Sequence, residues 1–561
     1  MSTWPIPSAL DPSTQAFPEL TEAQMSRVRA ASKVRRVVPG EVLFEPNDTN
    51  ISFFVLLSGG MEIVQPDLSG ERKITTHGPG HFTGEINMIS GQRCLVRGRV
   101  TEAGEFLEMK SADFRTLVAR DAELSEIFMR AFILRRLLLI THGMGNVVLM
   151  GSRHSANTLR IREFLTRNAH PYTYIDLDTD AAAQDFLDRF NVKLSDVPVI
   201  VCNATHNVLR NPTTQRLADC LGFSSTVDSS QVHDVVIVGG GPSGLAAAVY
   251  AASEGLDAVV IETEAPGGQA GSSSKIENYL GFPTGVSGQE LANRAITQAL
   301  KFGAKMMIGH KAVRLNCDGR PYKVLLDNGS TLLTRSIVIS TGAQYNKPEL
   351  DNLRGFEGQG IYYGATFMEA QLCQGDDVIV VGGANSAGQA AVFLSQTTRK
   401  VHMLVRRRSL AETMSRYLIQ RIAENPAIEL LCNTEIIGLE GNGHLERVTW
   451  RDKGSGQTST AGIKHVFMMT GASPRTKWLQ GCVALDDRGF ILTGRDLDAA
   501  LDASPASPWP LSRAPQMLET SLPGVFAVGD VRSGNVKRVA SAVGEGAIAI
   551  HLVHRSLAEG I

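Results

Sequence analysis

The chain has 561 residues, of which 43% are hydrophobic and 20% charged, so its composition is that of a globular protein and excludes disorder as the main state. This length predicts about three to four domains of about 150 residues each. The 55 basic and 57 acidic side chains give a net charge of -2, which excludes a strongly basic chain and argues against nucleic acid as a partner.

Seven cysteines are spread along the chain, and no two have the CxxC spacing of a local redox dithiol or a zinc ribbon. An odd count without a secretion signal indicates a reducing compartment. The N-terminus, MSTWPIPSAL, has neither the basic start nor the apolar core of a signal peptide. Because no apolar run approaches the ~18 residues that span a bilayer, we expect a cytoplasmic protein without a membrane partner.

The N-terminal part of the chain changes pattern twice. Frequent prolines predict an irregular arm over residues 1–31. Short β-like runs separated by glycine turns predict a small barrel or jelly roll over 32–140, whose last part, 112–140, has a helical pattern. Alternating strands and helices, among them a helix at 182–190, predict a small α/β domain with a partly parallel sheet over 145–222.

Three glycines follow the apolar strand VVIV with the spacing GxGxxG: Gly239, Gly241 and Gly244. The first permits a tight turn, the second lets the backbone approach a pyrophosphate, and the third lets the next helix pack closely on the strand. The N-terminus of that helix favours phosphate through its N–H groups and its dipole. Glu262 ends the following strand, where an acid binds a ribose hydroxyl. The segment therefore predicts a dinucleotide site, and the lack of a GK[ST] sequence excludes an ATPase phosphate loop.

The same pattern recurs after a second apolar strand, VIVV, with Gly382, Ala384 and Ala387 in place of the three glycines. The next strand is followed by three arginines, of which Arg406 and Arg407 stand where an NAD-specific fold would carry an acid. Guanidinium groups suit a 2′-phosphate. The second site is therefore predicted to take NADP rather than NAD.

Two further apolar strands end in residues suited to a flavin nucleotide. SIVISTGA contains Thr341 and Gly342, and GVFAVGDV contains Gly529 and Asp530 before a helical run. An acid at such a strand end accepts hydrogen bonds from ligand hydroxyls, and the helix N-terminus can receive the polarised edge of a flavin. The Ala/Ser/Pro-rich stretch 497–515 predicts a surface loop insertion.

In the order of these motifs, residues 232–561 resemble the low-molecular-weight thioredoxin reductases, and the segments GGQA, IENYLGFP and LPGVFAVGDV belong to the same resemblance. These enzymes are FAD- and NADPH-dependent disulfide oxidoreductases. The resemblance implies a homodimer in which an NADPH domain, 348–475, is inserted into an FAD domain made of 232–347 and 476–561. For FAD it implies the residues Gly239, Gly241, Ser243, Gly244, Glu262, Gly268, Gln269, Asn278, Thr341, Gly342, Gly529, Asp530, Arg538, Val539 and Ala540. For NADPH it implies the residues Gly382, Ala384, Asn385, Ser386, Ala387, Arg406 and Arg407.

The chain departs from that family at the redox centre. The family carries a redox-active C-A-T-C just before the NADPH strand, whereas this chain has Gly364, Ala365, Thr366 and Phe367 there. Thiol–disulfide exchange requires one thiolate to attack and a second to resolve, and neither Gly nor Phe can do so. Cys373 has no cysteine nearby in the sequence and is predicted to be a packed core thiol. Direct reduction of thioredoxin by the usual relay is therefore not expected.

Residues 145–222 resemble a thioredoxin- or glutaredoxin-like domain, with the pair Val197-Pro198 where that fold places its cis-proline loop. The region 153–156, Arg-His-Ser-Ala, replaces the CxxC expected after the first strand. We therefore predict that this domain carries no disulfide and either packs against the reductase or holds a partner. His154 is predicted to be a surface loop histidine.

Residues 32–140 resemble a cyclic-nucleotide-binding domain through PGEVLF and FTGEINMISGQRCLVRGRV. By this resemblance, Gly84 and Glu85 would contact a ribose and Arg93 would take the cyclic phosphate. Cys94 and Leu95 stand where that family has a small hydroxyl residue and an alanine, which weakens the site. A cyclic nucleotide is therefore a candidate ligand, with a purely structural jelly roll as the alternative, and no helix-turn-helix follows to support a transcription factor.

These patterns predict a multidomain α/β flavoprotein with two dinucleotide-binding domains, an N-terminal β jelly roll and a small thioredoxin-like domain. The main hypothesis is an NADPH-dependent FAD oxidoreductase that passes electrons to a small-molecule or protein acceptor, such as a quinone, a ferredoxin-like carrier, oxygen or a partner's disulfide. The alternatives are a sensor gated by a cyclic nucleotide, a degenerate scaffold that binds FAD without turnover, and a thioredoxin-disulfide reductase that uses a partner's cysteines. No metal site is predicted, because His551 and His554 lack a third ligand.

Overall fold

The computed structural model describes residues 15–67, 70–141, 147–180, 193, 196–202, 207–225, 227–273, 276, 278–346, 348–350, 352–357, 359–365, 367–470, 472–479, 481–498 and 509–560. The chain forms two compact units, one of Met1–Arg153, Ile161–Thr226 and Thr297–Gly309, the other of His154–Arg160, Val227–Ile296 and His310–Ile561. The helix expected at 182–190 and most of the stretch 497–515 lie outside the described residues.

The N-terminal region of the first unit is a β jelly roll, as predicted. Its strands are β1 (Lys33–Val37), β2 (Val42–Phe44), β3 (Phe53–Leu56), β4 (Gly60–Asp67), β5 (Gly70–His77), β6 (Arg97–Glu102) and β7 (Gly104–Met109). One sheet has the order β1-β7-β3 and the other β2-β6-β4-β5, with antiparallel pairing throughout. Phe53, Phe82, Phe114 and Phe128 pack ring against ring in its core, which buries the largest apolar side chains of this region.

Helices flank the jelly roll in the sequence, α1 (Glu22–Ala30), α3 (Ser111–Arg120) and α4 (Ala122–Thr141), and the short helix α2 (Asn87–Ser90) lies between β5 and β6. The first of these corrects the prediction of an irregular arm over residues 1–31. The Thr21 hydroxyl accepts a hydrogen bond from the Gln24 N–H while the Gln24 side chain accepts one from the Thr21 N–H, which is a capping box. Val28 is buried in the phenylalanine core, so α1 is part of the folded domain.

The next region has the partly parallel sheet that the sequence predicts. Its elements are β8 (Val147–Gly151), α5 (Ala156–Arg167), β9 (Thr173–Asp176), β10 (Val199–Cys202), β11 (Asn207–Arg210) and α6 (Thr214–Leu221). The strand order is β11-β10-β8-β9, with β8 parallel to β9 and the other pairs antiparallel. The Val197–Pro198 peptide bond is cis and His154 is exposed, which confirms both predictions.

The remainder of the chain alternates strands and helices. Its strands are β12 (Val232–Val238), β13 (Ala258–Glu262), β14 (Lys305–Ile308), β15 (Ala312–Asn316), β16 (Tyr322–Leu326), β17 (Thr331–Ile339), β18 (Ala343–Tyr345), β19 (Ile361–Tyr362), β20 (Asp377–Val381), β21 (Lys400–Val405), β22 (Ile428–Cys432), β23 (Thr434–Glu440), β24 (Arg447–Asp452), β25 (Thr458–Ala461), β26 (His465–Met468), β27 (Ala472–Pro474) and β28 (Val525–Ala527). Its helices are α7 (Pro242–Ser253), α8 (Gly268–Gly271), α9 (Gly288–Phe302), α10 (Leu353–Phe356), α11 (Phe367–Leu372), α12 (Asn385–Leu394), α13 (Arg416–Ala423) and α14 (Val539–Ala558). Short 3-10 turns occupy Lys477–Leu479, Gly494–Leu497 and Gly529–Val531.

The second unit contains one mixed sheet and one parallel sheet, and parallel strands in each of them position one glycine-rich loop. In the first, β12 pairs in parallel with β13 and β17, and β28 adds in parallel to β17. In the second, the order is β19-β26-β20-β21-β22 and all pairs are parallel. Consecutive buried apolar residues in β12 and β20 are typical of strands covered on both faces. The antiparallel ribbon β18–β27 joins the chain segments that enter and leave the second sheet.

Cys317 and Cys482 form a disulfide across a sequence separation of 165 residues. The cysteine count led to the expectation of a reducing compartment and gave no sign of this bond. Within the described ranges, no helix is long and apolar enough to cross a membrane. The same residues contain no group of three or more His, Cys, Asp and Glu side chains arranged to hold a metal ion.

Candidate functional site

The first glycine-rich loop, between β12 and α7, is held close to neighbouring backbone. Gly239 has a φ of +109°, and a Cβ on it would lie 2.3 Å from the Ser340 carbonyl oxygen. A Cβ on Gly244 would lie 1.9 Å from the Gly239 carbonyl oxygen, so the helix and loop are in contact there. Gly241 differs, because the nearest atom to a Cβ on it is the Gly268 Cα at 4.0 Å. The loop thus leaves open backbone at the N-terminus of α7, which fits a pyrophosphate.

Glu262 lies beside this loop at the end of β13. Its Oε2 accepts a hydrogen bond of 2.7 Å from the Gly240 N–H, and its Oε1 accepts one of 3.0 Å from the Glu264 N–H. Two backbone donors fix the orientation of the carboxylate and leave lone pairs for further donors. A ribose hydroxyl next to the loop is such a donor, so the position of Glu262 fits the role that the sequence implies.

Gly529 and Asp530 stand next to the same helix N-terminus. A Cβ on Gly529 would lie 2.6 Å from the Ser243 Oγ, and the Gly529 N–H donates a hydrogen bond of 2.7 Å to Glu545. Burial raises the pKa of Asp530, an effect that the Lys537 charge opposes and the Glu545 charge reinforces. Among the residues that the structure describes, none donates a hydrogen bond to the Asp530 carboxylate. A desolvated carboxylate in this position fits a ligand that brings hydroxyl donors.

The other residues implied for FAD divide into an inner and an outer group. In the inner group, a Cβ on Gly268 would lie 3.1 Å from the Gly241 Cα, the Gln269 side-chain amide donates to the Ala343 carbonyl, and Thr341 donates to a backbone carbonyl at 3.1 Å. The next residue along the chain, Gly342, has a φ of +62°. In the outer group, Asn278, Arg538 and Ala540 are exposed and Val539 is half-buried. Of these residues, Gly268 and Thr341 lie against the glycine-rich loop, because a Cβ on Gly239 would be 3.0 Å from the Thr341 nitrogen.

The second glycine-rich loop, between β20 and α12, repeats part of this geometry. Gly382 has a φ of +144°, and a Cβ on it would lie 2.3 Å from a carbonyl oxygen of the chain that follows β26. Ala384 caps α12 in an extended conformation and is exposed, whereas Ala387 is fully buried. The Asn385 side chain accepts a hydrogen bond of 2.8 Å from the backbone N–H that precedes α13, and Ser386 is exposed. The open end of α12 fits a phosphate group.

Three exposed arginines follow β21 beside the second loop, and their partners differ. Arg407 forms an ion pair of 2.6 Å with Glu412. Arg406 and Arg408 make no ion pair or hydrogen bond through their side chains within the described residues. Arg406, which follows the strand directly, is thus the guanidinium most available to a 2′-phosphate.

The segment that replaces the family's redox dithiol precedes β20. Gly364 is half-buried and Ala365 buried, while Thr366 lies outside the described residues. Cys373 is fully buried in the core of this domain, and its thiol donates to the Glu369 carbonyl at 3.1 Å. Burial raises the pKa of Cys373 to about 12. This confirms Cys373 as a packed core thiol rather than a nucleophile.

The jelly roll encloses a cavity of about 300 Å³. Gly84 and Glu85 line it, as the resemblance to a cyclic-nucleotide-binding domain implies. Glu85 is already engaged, because Arg136 donates to it at 3.0 Å. Arg93 does not line this cavity and lies instead beside Gly222, next to a second, smaller cavity. Arg93, the residue predicted to bind the cyclic phosphate, therefore lies apart from Gly84 and Glu85, the residues predicted to bind the ribose.

Sequence reasoning missed three residues of this unit. Arg135, within α4, is buried and donates to the Phe82 and Gly84 carbonyls beside the larger cavity, and burial lowers its pKa to about 9. Its position inside an apolar helix was the signal that could have identified it. Cys202 and Cys220 lie with their sulfur atoms 3.3 Å apart. Both are free cysteines in the structure, and no spacing rule would have revealed that they lie so close together.

Comparison with known proteins places this geometry in context. A profile of the pyridine nucleotide-disulphide oxidoreductases matches residues 233–546, and one of the cyclic nucleotide-binding domain matches residues 34–121. The thioredoxin reductase of Mycolicibacterium smegmatis is 32% identical over 333 residues, which cover 59% of this chain and 98% of that protein. The thioredoxin reductase of Bacillus subtilis (strain 168) is 30% identical over 335 residues, which cover 59% and 97%. The solved thioredoxin reductase of Lactococcus lactis matches with a TM-score of 0.52 at 25% identity, covering 58% of this chain and 99% of that one.

Proposed function

The chain belongs to the pyridine nucleotide-disulphide oxidoreductases as a thioredoxin reductase-like enzyme that uses FAD and NADPH, and we propose that it passes electrons to an acceptor other than a dithiol at residues 364–367. The observation that carries this proposal is the sequence Gly364-Ala365-Thr366-Phe367 at the position of the family's redox pair. A dithiol relay needs two sulfur atoms there. The acceptor is therefore a small molecule or a protein that approaches the bound flavin from outside.

The residues around the first loop would hold FAD. The open backbone at Gly241 and the N-terminus of α7 would receive the pyrophosphate, Glu262 the ribose, and Asp530 a hydroxyl of the ribitol. Bound FAD would supply the two-electron redox chemistry that protein side chains lack. The chain itself contributes orientation, and the contact of Gly529 with Ser243 keeps the Asp530 backbone against α7.

The residues around the second loop would hold NADPH. The N-terminus of α12 would receive the pyrophosphate, and Arg406 would pair with the 2′-phosphate. Arg407 supports this region through its ion pair with Glu412. This arrangement favours NADPH over NADH because only NADPH carries the additional phosphate.

An anaerobic titration with NADPH, followed in the flavin absorption band, tests the reductive half of this function. We expect bleaching within seconds and slower bleaching with NADH. A yellow protein that NADPH does not bleach would favour the degenerate scaffold.

The acceptor is tested by rebuilding the missing relay. The double variant Gly364→Cys, Phe367→Cys restores the family's C-A-T-C, and Gly364→Cys alone is the matched control with a single thiol. We expect NADPH-dependent reduction of thioredoxin only in the double variant, while quinone reduction is present in all three proteins. Thioredoxin reduction by the unaltered chain at the rate of the double variant would contradict the proposal.

Control of this enzyme by a cyclic nucleotide is the second candidate function. The match of residues 34–121 to a cyclic nucleotide-binding domain and the cavity lined by Gly84 and Glu85 favour it. The location of Arg93 outside that cavity argues against a phosphate contact of the usual kind. Calorimetry with cAMP and cGMP tests it, and the lack of both heat and thermal shift would remove it.

A further inference from the structure

The thioredoxin-like domain contains two cysteines that approach each other although 18 positions separate them. Cys202 is the last residue of β10 and is 3% exposed, while Cys220 lies in α6 and is half-buried. The Cys220 thiol donates to the Cys202 sulfur at 3.3 Å. A disulfide has an S–S distance of about 2.05 Å, so an approach of about 1.2 Å would join the two sulfur atoms.

The pair lines a small cavity at the contact of this domain with the jelly roll, inside one compact unit. The cavity has a volume of about 20 Å³. That is room for about one water molecule, and it excludes a peptide or a glutathione-sized disulfide. A reactant that reaches both sulfur atoms must therefore be as small as hydrogen peroxide.

The side chains that share this cavity suit a reactive thiol. Arg93 and Arg136 both line the cavity; Arg93 makes no ion pair with any residue that the structure describes, and Arg136 is paired with Glu85. Cationic neighbours favour the thiolate, which is the nucleophilic form of cysteine. His170 is 6% exposed, and its Nε2 has no hydrogen-bond partner in the described part of the chain. Burial lowers the pKa of His170 to about 3, so the ring is neutral at physiological pH and one of its nitrogens can accept a hydrogen bond.

We propose that Cys202 and Cys220 form a second redox site, separate from the flavin, that hydrogen peroxide oxidises to a disulfide. Cys220, the more exposed of the two, attacks first: its sulfur bonds to one peroxide oxygen, the O–O bond breaks, and the leaving oxygen takes a proton to become water. The Cys202 sulfur then attacks the Cys220 sulfenic acid, the S–S bond forms, and the second oxygen leaves as water. Two thiols and one peroxide thus give one disulfide and two waters. This site does not depend on the proposed electron acceptor.

The test uses the full-length, FAD-containing protein with hydrogen peroxide alone, without NADPH. Five cysteines lie outside the Cys317–Cys482 disulfide, so we expect titratable thiols to fall from five to three. Peptide mass spectrometry should find Cys202 joined to Cys220, and dithiothreitol added after the protein is unfolded, which supplies two electrons and two protons, should restore both thiols. Two thiols that remain reduced, or oxidation confined to other cysteines, would overturn the proposal.

Variants separate the pair from general oxidation. Cys202→Ser should leave a sulfenic acid on Cys220, seen as the addition of one oxygen, because no thiol remains to resolve it. Cys432→Ser, which removes another half-buried cysteine, is the matched control and should oxidise like the unaltered protein. Oxidation at the pair should be at least about tenfold faster than at Cys432, because burial raises the pKa of Cys432 and so lowers its thiolate fraction. Since a thermal unfolding curve followed by circular dichroism reports folding in each variant, equal rates at the two sites in a folded protein would also overturn the proposal.

Discussion

The two glycine-rich loops of the second unit share a backbone plan but differ in the side chains that surround it. In both, the first glycine has a positive φ, and a Cβ there would lie 2.3 Å from a carbonyl oxygen of the adjacent strand end. The two loops differ at the third position of the pattern, because Gly244 has no room for a side chain whereas the side chain of Ala387 is accommodated and fully buried. The first helix therefore leaves no space for a methyl group against its loop, whereas the second helix does.

The charges beside the two loops differ in sign. The first loop has Glu262, fixed by two backbone N–H groups, while the second has Arg406 without an ion pair among the described residues. An acid accepts hydrogen bonds from ribose hydroxyls, and a guanidinium pairs with a phosphate. In the proposed function, one backbone plan would serve two nucleotides, and one residue at the end of the following strand or directly after it would distinguish them. Variants at matched positions of the two loops show how far this comparison holds.

The largest effect is expected at the third position. Gly244→Ala places a Cβ 1.9 Å from the Gly239 oxygen, so the helix must move away from the loop. Overpacking of this kind costs about 1–3 kcal/mol, and we expect FAD content after purification to fall below about a tenth of the normal value. Absorbance at the flavin band measures it. The reverse change at the matched position, Ala387→Gly, should keep FAD and lose about 1 kcal/mol of helix stability. Full FAD content in the Gly244 variant would show that the first loop is not tightly constrained.

The second effect concerns the arginines. Arg406→Ala should raise the KM for NADPH by about 10- to 100-fold, because hydrogen bonds to charged groups contribute about 1.5–3 kcal/mol. The KM for NADH should change little, since NADH has no 2′-phosphate. Arg407→Ala should have a smaller effect because Glu412 already pairs with that side chain. Arg399→Ala, which removes an arginine paired with Asp377 before β21, is the control. Equal changes for both nucleotides would refute the 2′-phosphate contact.

The sequence predicted these loops well because their chemistry is local. A strand, a tight turn and a helix N-terminus follow one another within a few residues, so spacing alone positions Gly239, Gly382 and the residues after each strand. The thioredoxin reductase-like fold followed from the order of such segments, and the family comparison confirms it.

Contacts between distant segments could not be predicted in this way. Cys317 and Cys482 are 165 residues apart, and nothing in either neighbourhood indicates the other. Arg93 follows Glu85 closely in the sequence, yet it faces a different cavity because the direction of a side chain depends on how the domains pack. The same holds for Cys202 and Cys220, which meet only after β10 and α6 have packed.

The third effect concerns Asp530, which has no counterpart in the second loop. Asp530→Asn should weaken FAD binding by about tenfold, because a charged acceptor is replaced by a neutral one. Burial raises the pKa of Asp530 in the fold, so ionisation of the empty site opposes folding. This penalty is absent below the ordinary aspartate pKa of about 3.9, develops as the pH rises through the raised value, and is complete above it. At pH 7 the FAD-free Asp530→Asn variant should therefore melt at a higher temperature than the FAD-free unaltered protein, and the difference should vanish near pH 4. A difference that persists at low pH would contradict this origin.

The smallest effect is expected at the middle position of each loop, where neither backbone is crowded. Ala384→Gly removes an exposed Cβ at the N-cap of α12, so a phosphate can come closer, and glycine caps helices slightly better than alanine. We expect the KM for NADPH to fall by about two- to threefold, which corresponds to about 0.5 kcal/mol. The matched change, Gly241→Ala, meets no protein atom nearer than 4.0 Å, so the FAD-free fold should tolerate it. Any loss of FAD in the Gly241→Ala variant would therefore show that the bound pyrophosphate lies too close to the Gly241 backbone to leave room for a Cβ. If FAD content is unchanged, the pyrophosphate does not touch Gly241. The backbones of the two loops then lie at equal distances from their nucleotides, although the third residues, Gly244 and Ala387, differ.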